Sequence, residues 1–133
     1  MDTDKLIKNF NRCIDWEDKY LYIISLGEKY ALLPAEKQTE QYAIVGCQSS
    51  VWIDVKLIEG KVSLLGNSDA ALVKGLVAIV CMLLNDKTPS ELLNTNIKTI
   101  FAQLGLQQQL TPARNQGLEA MVRTIFNKVE HFI

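Results

Sequence analysis

Only one of the three cysteines in this chain sits where a thiol could be put to use. In Ala43-Ile44-Val45-Gly46-Cys47-Gln48-Ser49-Ser50-Val51-Trp52 an apolar run gives way to a glycine, the cysteine and three polar residues, and then apolar residues resume. Gly46 permits a tight bend, so Cys47 can stand on a loop between two strand-like segments. Gln48, Ser49 and Ser50 offer hydrogen bonds but no acid, so no carboxylate close in sequence raises the thiol pKa. A thiolate on such a loop can attack sulfur or bind a partner's thiol. The same pattern also fits a small hydrophobe filling a turn. Cys13 and Cys81 fall within apolar helical patterns and read as packing. The sole histidine, His131, lies near the C-terminus.

Arg114 is the second residue of interest. It falls at the third position of a helix opened by Thr111-Pro112, where a cation meets the positive end of the helix dipole and is mildly disfavoured. A solvated arginine is the plain reading. A neighbour for the Cys47 thiolate is the functional one.

The surrounding pattern predicts an α+β domain, a three-stranded antiparallel sheet with helices packed mainly on one face. Leu6, Phe10, Ile14, Leu21 and Ile24 predict one helix from about Thr3 to Leu26, capped by Asp2, Thr3 or Asp4 and stopped by Gly27. Trp16 and Tyr20 read as core aromatics. Residues 28–41, interrupted by Pro34, read as a surface connection. Tyr42 to Val45, Val51 to Ile58 and Lys61 to Leu65 read as the strands. Val51, Ile53, Val55 and Leu57 lie on one face, Trp52, Asp54 and Lys56 on the wetter one, and Glu59-Gly60 forms a hairpin turn. Ala70 to about Leu84 is apolar nearly all round and reads as the central helix, capped by Ser68 or Asp69. Gly75 inside it costs roughly 1 kcal/mol against alanine, which points to a close approach by another element. Thr88-Pro89-Ser90-Glu91 has the form of a capping box. Short helices follow to about Asn94 and from Ile97 to Gln103. The last helix runs from Pro112 through Leu118, Met121, Val122, Ile125, Phe126 and Val129.

Composition narrows the function classes. The chain has 133 residues, 48% hydrophobic and 22% charged, with a formal net charge of −1 and no basic run. That is ordinary for one globular domain spanning 1–133, and it argues against nucleic acid as a main partner. The stretch from Ala70 to Leu84 contains Lys74 and is too short to span a bilayer, so no membrane role is expected. No secretory leader is evident at Met1-Asp2-Thr3-Asp4-Lys5. An odd, irregularly spaced set of cysteines points to reduced thiols and a cytoplasmic setting.

Gly46-Cys47-Gln48-Ser49-x-Val51-Trp52 resembles the signature of the SufE family (SufE and its paralogue CsdE), the sulfur-acceptor partners of cysteine desulfurases. Two later stretches agree. They are Gly66-x-Ser68-Asp69-Ala70-x-x-Val73-Lys74-Gly75-Leu76 and Leu110-Thr111-Pro112-x-Arg114-x-x-Gly117-Leu118-x-x-Met121. The three occur in the family's order and span most of the chain. Ser50 and Ala113 depart from the expected pattern, where the family often has Gln and Ser.

The resemblance implies a fold like SufE and the U-type, IscU-like iron–sulfur scaffolds. It implies that Cys47 accepts persulfide sulfur from a desulfurase of the SufS or CsdA kind, stimulates that enzyme and relays sulfur to an iron–sulfur assembly scaffold. Pyridoxal phosphate would belong to the desulfurase. This chain would be a carrier without a cofactor or resident metal, not an independent enzyme. Arg114 matches one of the family's functional positions, facing the thiolate or the docked partner. Gln48, Asp69 and Lys74 are candidate partner contacts, although Gln48 could instead bind the loop backbone and Asp69 could simply cap a helix.

The competing readings are an adaptor without sulfur chemistry, a scaffold for zinc or a nascent cluster, and a cysteine hydrolase. A scaffold needs three or four converging ligands. A hydrolase needs a histidine oriented against the thiol. The sequence leaves open whether the chain works alone or as a homodimer.

Overall fold

The computed structural model describes residues 2–133. Helix α1 (Thr3–Asn11) is capped by Asp2, whose carboxylate accepts from the Lys5 N–H at 2.8 Å. The expected single N-terminal helix is broken after Asn11 and restarts as α2 (Trp16–Tyr30). Two aspartates cause the break. The Asp18 N–H donates to Asp15 at 2.9 Å, and the Ile14 N–H donates to Asp18 at 3.1 Å. Asp15 thus caps the new helix, and Asp18 holds the residue before the cap, which together favour a helix start here. It turns Ile14 out to 90% exposure and leaves Tyr20 and Leu21 at the surface, so the buried stripe of α2 is Ile23, Leu26 and Gly27.

Gly27 does not stop the helix, which continues to Tyr30. Its role is contact: a Cβ there would fall 2.6 Å from the backbone nitrogen of Gly75. A Cβ on Gly75 would in turn overlap the carbonyl of Ile23. The two bare glycines let α2 cross helix α3 (Ala71–Leu84) backbone against backbone. In α3 every residue except Ala71, Lys74 and Met82 is buried.

Strands β1 (Val51–Ile58) and β2 (Lys61–Ser68) pair antiparallel, Val51 opposite Ser68 through Ile58 opposite Lys61. Glu59 and Gly60 both take positive φ, 51° and 81°, as a two-residue hairpin turn requires. The predicted third strand does not form. Glu40–Tyr42 winds into a 3-10 turn, and the segment then touches β1 only through one bridge, Ala43 opposite Trp52. The sheet among the described residues therefore has two strands, with α3 packed against it.

The free edge of β2 is closed by other means. Asn85 exchanges two side-chain hydrogen bonds with the Leu64 backbone, at 2.7 and 3.0 Å. Val62 bonds the backbone of Lys87 and Asp86, and the Leu33 N–H donates to the Gly66 carbonyl. Asp54 also departs from expectation. It lies on the outer face yet is only 8% exposed, because Lys37 and Lys56 close over it at 3.0 and 3.3 Å. Leu57, expected to be covered, is exposed at the hairpin end.

The remaining helices are α4 (Pro89–Leu93), α5 (Ile97–Leu104), α6 (Leu106–Gln109) and α7 (Pro112–Glu130). Thr88 and Glu91 form the predicted capping box, and the hydrogen bonds from Thr88 hold the Glu91 carboxyl below the usual range. Gly105, at φ 71°, ends α5 and leads into the single turn of α6, which the sequence pattern did not anticipate.

Candidate functional site

The Cys47 loop is held at both ends and in the middle. At its start, Ile44 is buried and its N–H donates to the Val51 carbonyl at 2.9 Å. Gly46 then turns the chain with φ 97°, a conformation few other residues adopt without strain. A Cβ at that position would sit 3.3 Å from Ala120 of α7, so the turn also packs close to the helix.

At the loop's end, Ser50 is clamped from the β2–α3 junction. Its N–H donates to the Asp69 carboxylate at 3.1 Å, its carbonyl accepts from the Asp69 N–H at 3.3 Å, and the Ser68 hydroxyl donates to the same carbonyl at 2.7 Å. Asp69 thus spends its carboxylate on the loop. Neither it nor Ser68 caps α3 by the usual side-chain bond, although the Ser68 hydroxyl accepts from the Ala70 N–H at 3.3 Å.

Cys47 itself is half-buried, and its thiol donates to the Gly117 carbonyl at 3.5 Å. Gly117 leaves room for it: a Cβ there would meet the Cys47 sulfur at 3.5 Å. The thiol opens on a pocket of about 260 Å3. Gln48 and Ser49 of the loop, Val73 and Leu76 of α3, and Arg114 and Met121 of α7 are among its walls. Burial pushes the Cys47 pKa up, and no cation offsets that effect in this resting arrangement. Arg114 is exposed and forms no ion pair with a described residue. Its backbone N–H donates to the Thr111 hydroxyl, which caps α7.

The structure therefore brings Cys47, Gln48 and Arg114 to one pocket. Asp69 touches the loop from behind, and Lys74 stands apart, lining a neighbouring depression with Glu28 and Asp69. The pocket walls Val73, Leu76, Gly117 and Met121 were not singled out from sequence as site residues. Arg114, Gly117 and Met121 recur at helical spacing, and that spacing was the available signal.

The other thiols differ. Cys13, expected within a helix, instead lies in the connection between α1 and α2, because the first helix ends at Asn11. It is partly buried like Cys47, but its sulfur donates to the Asn9 carbonyl at 3.6 Å and does not line the Cys47 pocket. Cys81 is buried in α3, where desolvation pushes its pKa up to about 12. His131 is exposed and bonds its own helix at Asn127. Among the described residues there is no group of three or more His, Cys, Asp or Glu that could hold a metal ion. Nor is any of their helices long and apolar enough to cross a membrane.

Fold and site together define a small α+β domain that presents the Cys47 thiol, on a loop, at the mouth of a pocket. Residues 4–129 match the family described as SufE, Fe-S metabolism associated domain, and the chain belongs to that family. Its fold is similar to the solution structure of a hypothetical protein from Thermus thermophilus. The TM-score is 0.77 at 21% identity, over 97% of this chain and 93% of that one. That likeness concerns the fold alone.

Proposed function

We propose that this protein accepts sulfur from a cysteine desulfurase on Cys47, stimulates that enzyme and passes the sulfur to an iron–sulfur assembly scaffold. The observation that carries the reading is the setting of Cys47. It is a half-buried thiol on a loop pinned at Ile44 and Ser50, facing a pocket, in a family associated with iron–sulfur metabolism.

The chemistry is thiol exchange. Cys47 loses its proton and the thiolate attacks the outer sulfur of the donor's persulfide. The donor's sulfur–sulfur bond breaks as the new one forms, and the donor cysteine leaves as thiolate. Cys47 is left carrying the persulfide, and no net oxidation occurs. The step needs an accessible thiol and a docking surface, not a general-base triad. The pocket gives the added sulfur a place out of bulk water.

Arg114 supplies positive charge at the pocket rim. In the resting state it does not lower the Cys47 pKa, so its role in this proposal begins when donor and acceptor meet. Gln48 lines the same rim and completes the contact surface. Asp69 acts through the loop it holds. The chain is a carrier, and pyridoxal phosphate belongs to the donor enzyme.

The test is intact-protein mass after incubation with a cysteine desulfurase and free cysteine, run beside Cys47→Ser. Added sulfur on the wild type and none on the variant is the expected result. A Cys47→Ser protein that still stimulates the desulfurase fully, with no sulfur on the wild type, would assign an adaptor role instead.

A further inference from the structure

We propose that the groove between α5 and α7 is a second binding site, for an amphipathic carboxylate with a flexible apolar chain. The groove is separate from the Cys47 pocket and has a volume of about 540 Å3, within the usual range for small-molecule sites. Helix α7 is the wall between the two: Arg114, Gly117 and Met121 face Cys47, whereas Leu118, Val122 and Phe126 face the groove. Ile97 and Phe101 of α5 complete an apolar floor, and the amides Gln107, Asn115 and Asn127 line the groove beside it. Val122 and Phe126 are only partly buried, so the chain itself leaves this surface incompletely covered.

The rim decides the ligand's charge. Lys98 stands on the α5 side and Arg123 on the α7 side, both exposed. Neither side chain makes a hydrogen bond or an ion pair with any described residue. Glu119 is the one acid on the rim. It lies one helical turn before Arg123, yet the two do not close an ion pair. Two uncommitted cations against one acid favour an anionic head group over a cationic one. A helix of another protein would satisfy both sides of such a groove only if it brought matching acids. A single-chain acid needs one head and a tail, which is what the two cations and the apolar lining provide.

The experiment is isothermal titration of the purified protein with dodecanoate below its micelle concentration, beside octanoate and dodecyltrimethylammonium. Saturable binding of one dodecanoate per chain is expected. Affinity is expected to fall by about three- to fourfold for each buried methylene removed. Lys98→Glu with Arg123→Glu, both at exposed positions, is expected to weaken binding about tenfold or more, and Glu119→Gln to strengthen it. Val122→Glu, checked for folding by circular dichroism, is expected to abolish it.

Absence of saturable binding, equal binding of the ammonium analogue, or binding indifferent to these substitutions would overturn the proposal. So would a dimer of the ligand-free protein that Val122→Glu dissociates, which would give the groove to a second copy. None of these outcomes depends on whether Cys47 accepts sulfur.

Discussion

Cys47 and Cys81 are the same side chain in two regions of one small domain. Cys81 lies in α3, surrounded by the core, with its pKa pushed up to about 12. Cys47 lies on a loop whose ends are fastened to β1 and to the β2–α3 junction, and its sulfur rests on the Gly117 carbonyl beside a pocket. Burial raises both pKa values, so a low pKa in the resting protein is not what distinguishes them. The difference is access, together with a loop backbone held at both ends so that the sulfur lines a pocket. Placement separates the two thiols, and the core around α3 supplies the wall against which the loop is placed.

The largest expected effect on that wall comes from Gly75→Ala. The new methyl would overlap the Ile23 carbonyl, so α2 and α3 must separate, and we expect a loss of about 2–3 kcal/mol or more by denaturant unfolding. Under the proposed function, sulfur uptake would then fail only through unfolding, in contrast to Cys47→Ser, which is expected to lose uptake while remaining folded.

Cys81→Ser puts a hydroxyl into the core. It should cost about 1–2 kcal/mol in the same assay and leave uptake intact. The fold favours the protonated Cys81 thiol. Its contribution is therefore fully present below the ordinary thiol range, and stability falls as pH rises from there towards about 12.

Asp69→Ala removes one anchor of Ser50. We expect a cost of about 1 kcal/mol and faster alkylation of Cys47 by iodoacetamide, as the loop spends more time open. In the wild type that alkylation rate should rise with pH through a midpoint above the ordinary thiol value, because burial disfavours the thiolate.

Gly117→Ala gives the smallest change and separates the two regions most finely. Its methyl would touch the Cys47 sulfur at 3.5 Å without clash. Alanine in a helix interior is worth up to about 1 kcal/mol over glycine, so stability should rise slightly while sulfur uptake slows for lack of room.

Much of this arrangement was legible in the sequence. The loop at Gly46-Cys47, the hairpin at Glu59-Gly60, the all-apolar α3 and the capping box at Thr88 each follow from a local rule strong enough to act alone. The tight approach at Gly75 is legible as a cost needing a reason, but its partner, Gly27, has the sequence pattern of a helix stop. A glycine at a helix crossing and one at a helix end look alike until the second helix is in place.

The break before Asp15 is masked in the sequence, because the apolar spacing through Ile14 and Leu21 outweighs the weaker signal of Asp15 and Asp18. The third strand was lost to competition. Tyr42 to Val45 has strand-like residues, but the chain must turn at Gly46 and is wound into a 3-10 turn just before. Asp69 beside a helix start looks like a cap, and its use by Ser50, nineteen positions earlier, is a tertiary fact. Within the site, Cys47 is marked by its type on a loop and Arg114 by its place at the start of a helix, where a cation is disfavoured. The apolar walls Val73, Leu76 and Met121 are not marked, because a pocket wall and a core residue have the same side chains.

The most direct test of the account compares the cysteines within one molecule. Wild-type protein, loaded with sulfur by a desulfurase and free cysteine, would be alkylated, digested and mapped by mass spectrometry. Persulfide is expected on the Cys47 peptide and none on those carrying Cys13 or Cys81. Persulfide spread over the three sites, or found on Cys13 or Cys81 in place of Cys47, would contradict the claim that placement of this one loop makes the thiol an acceptor.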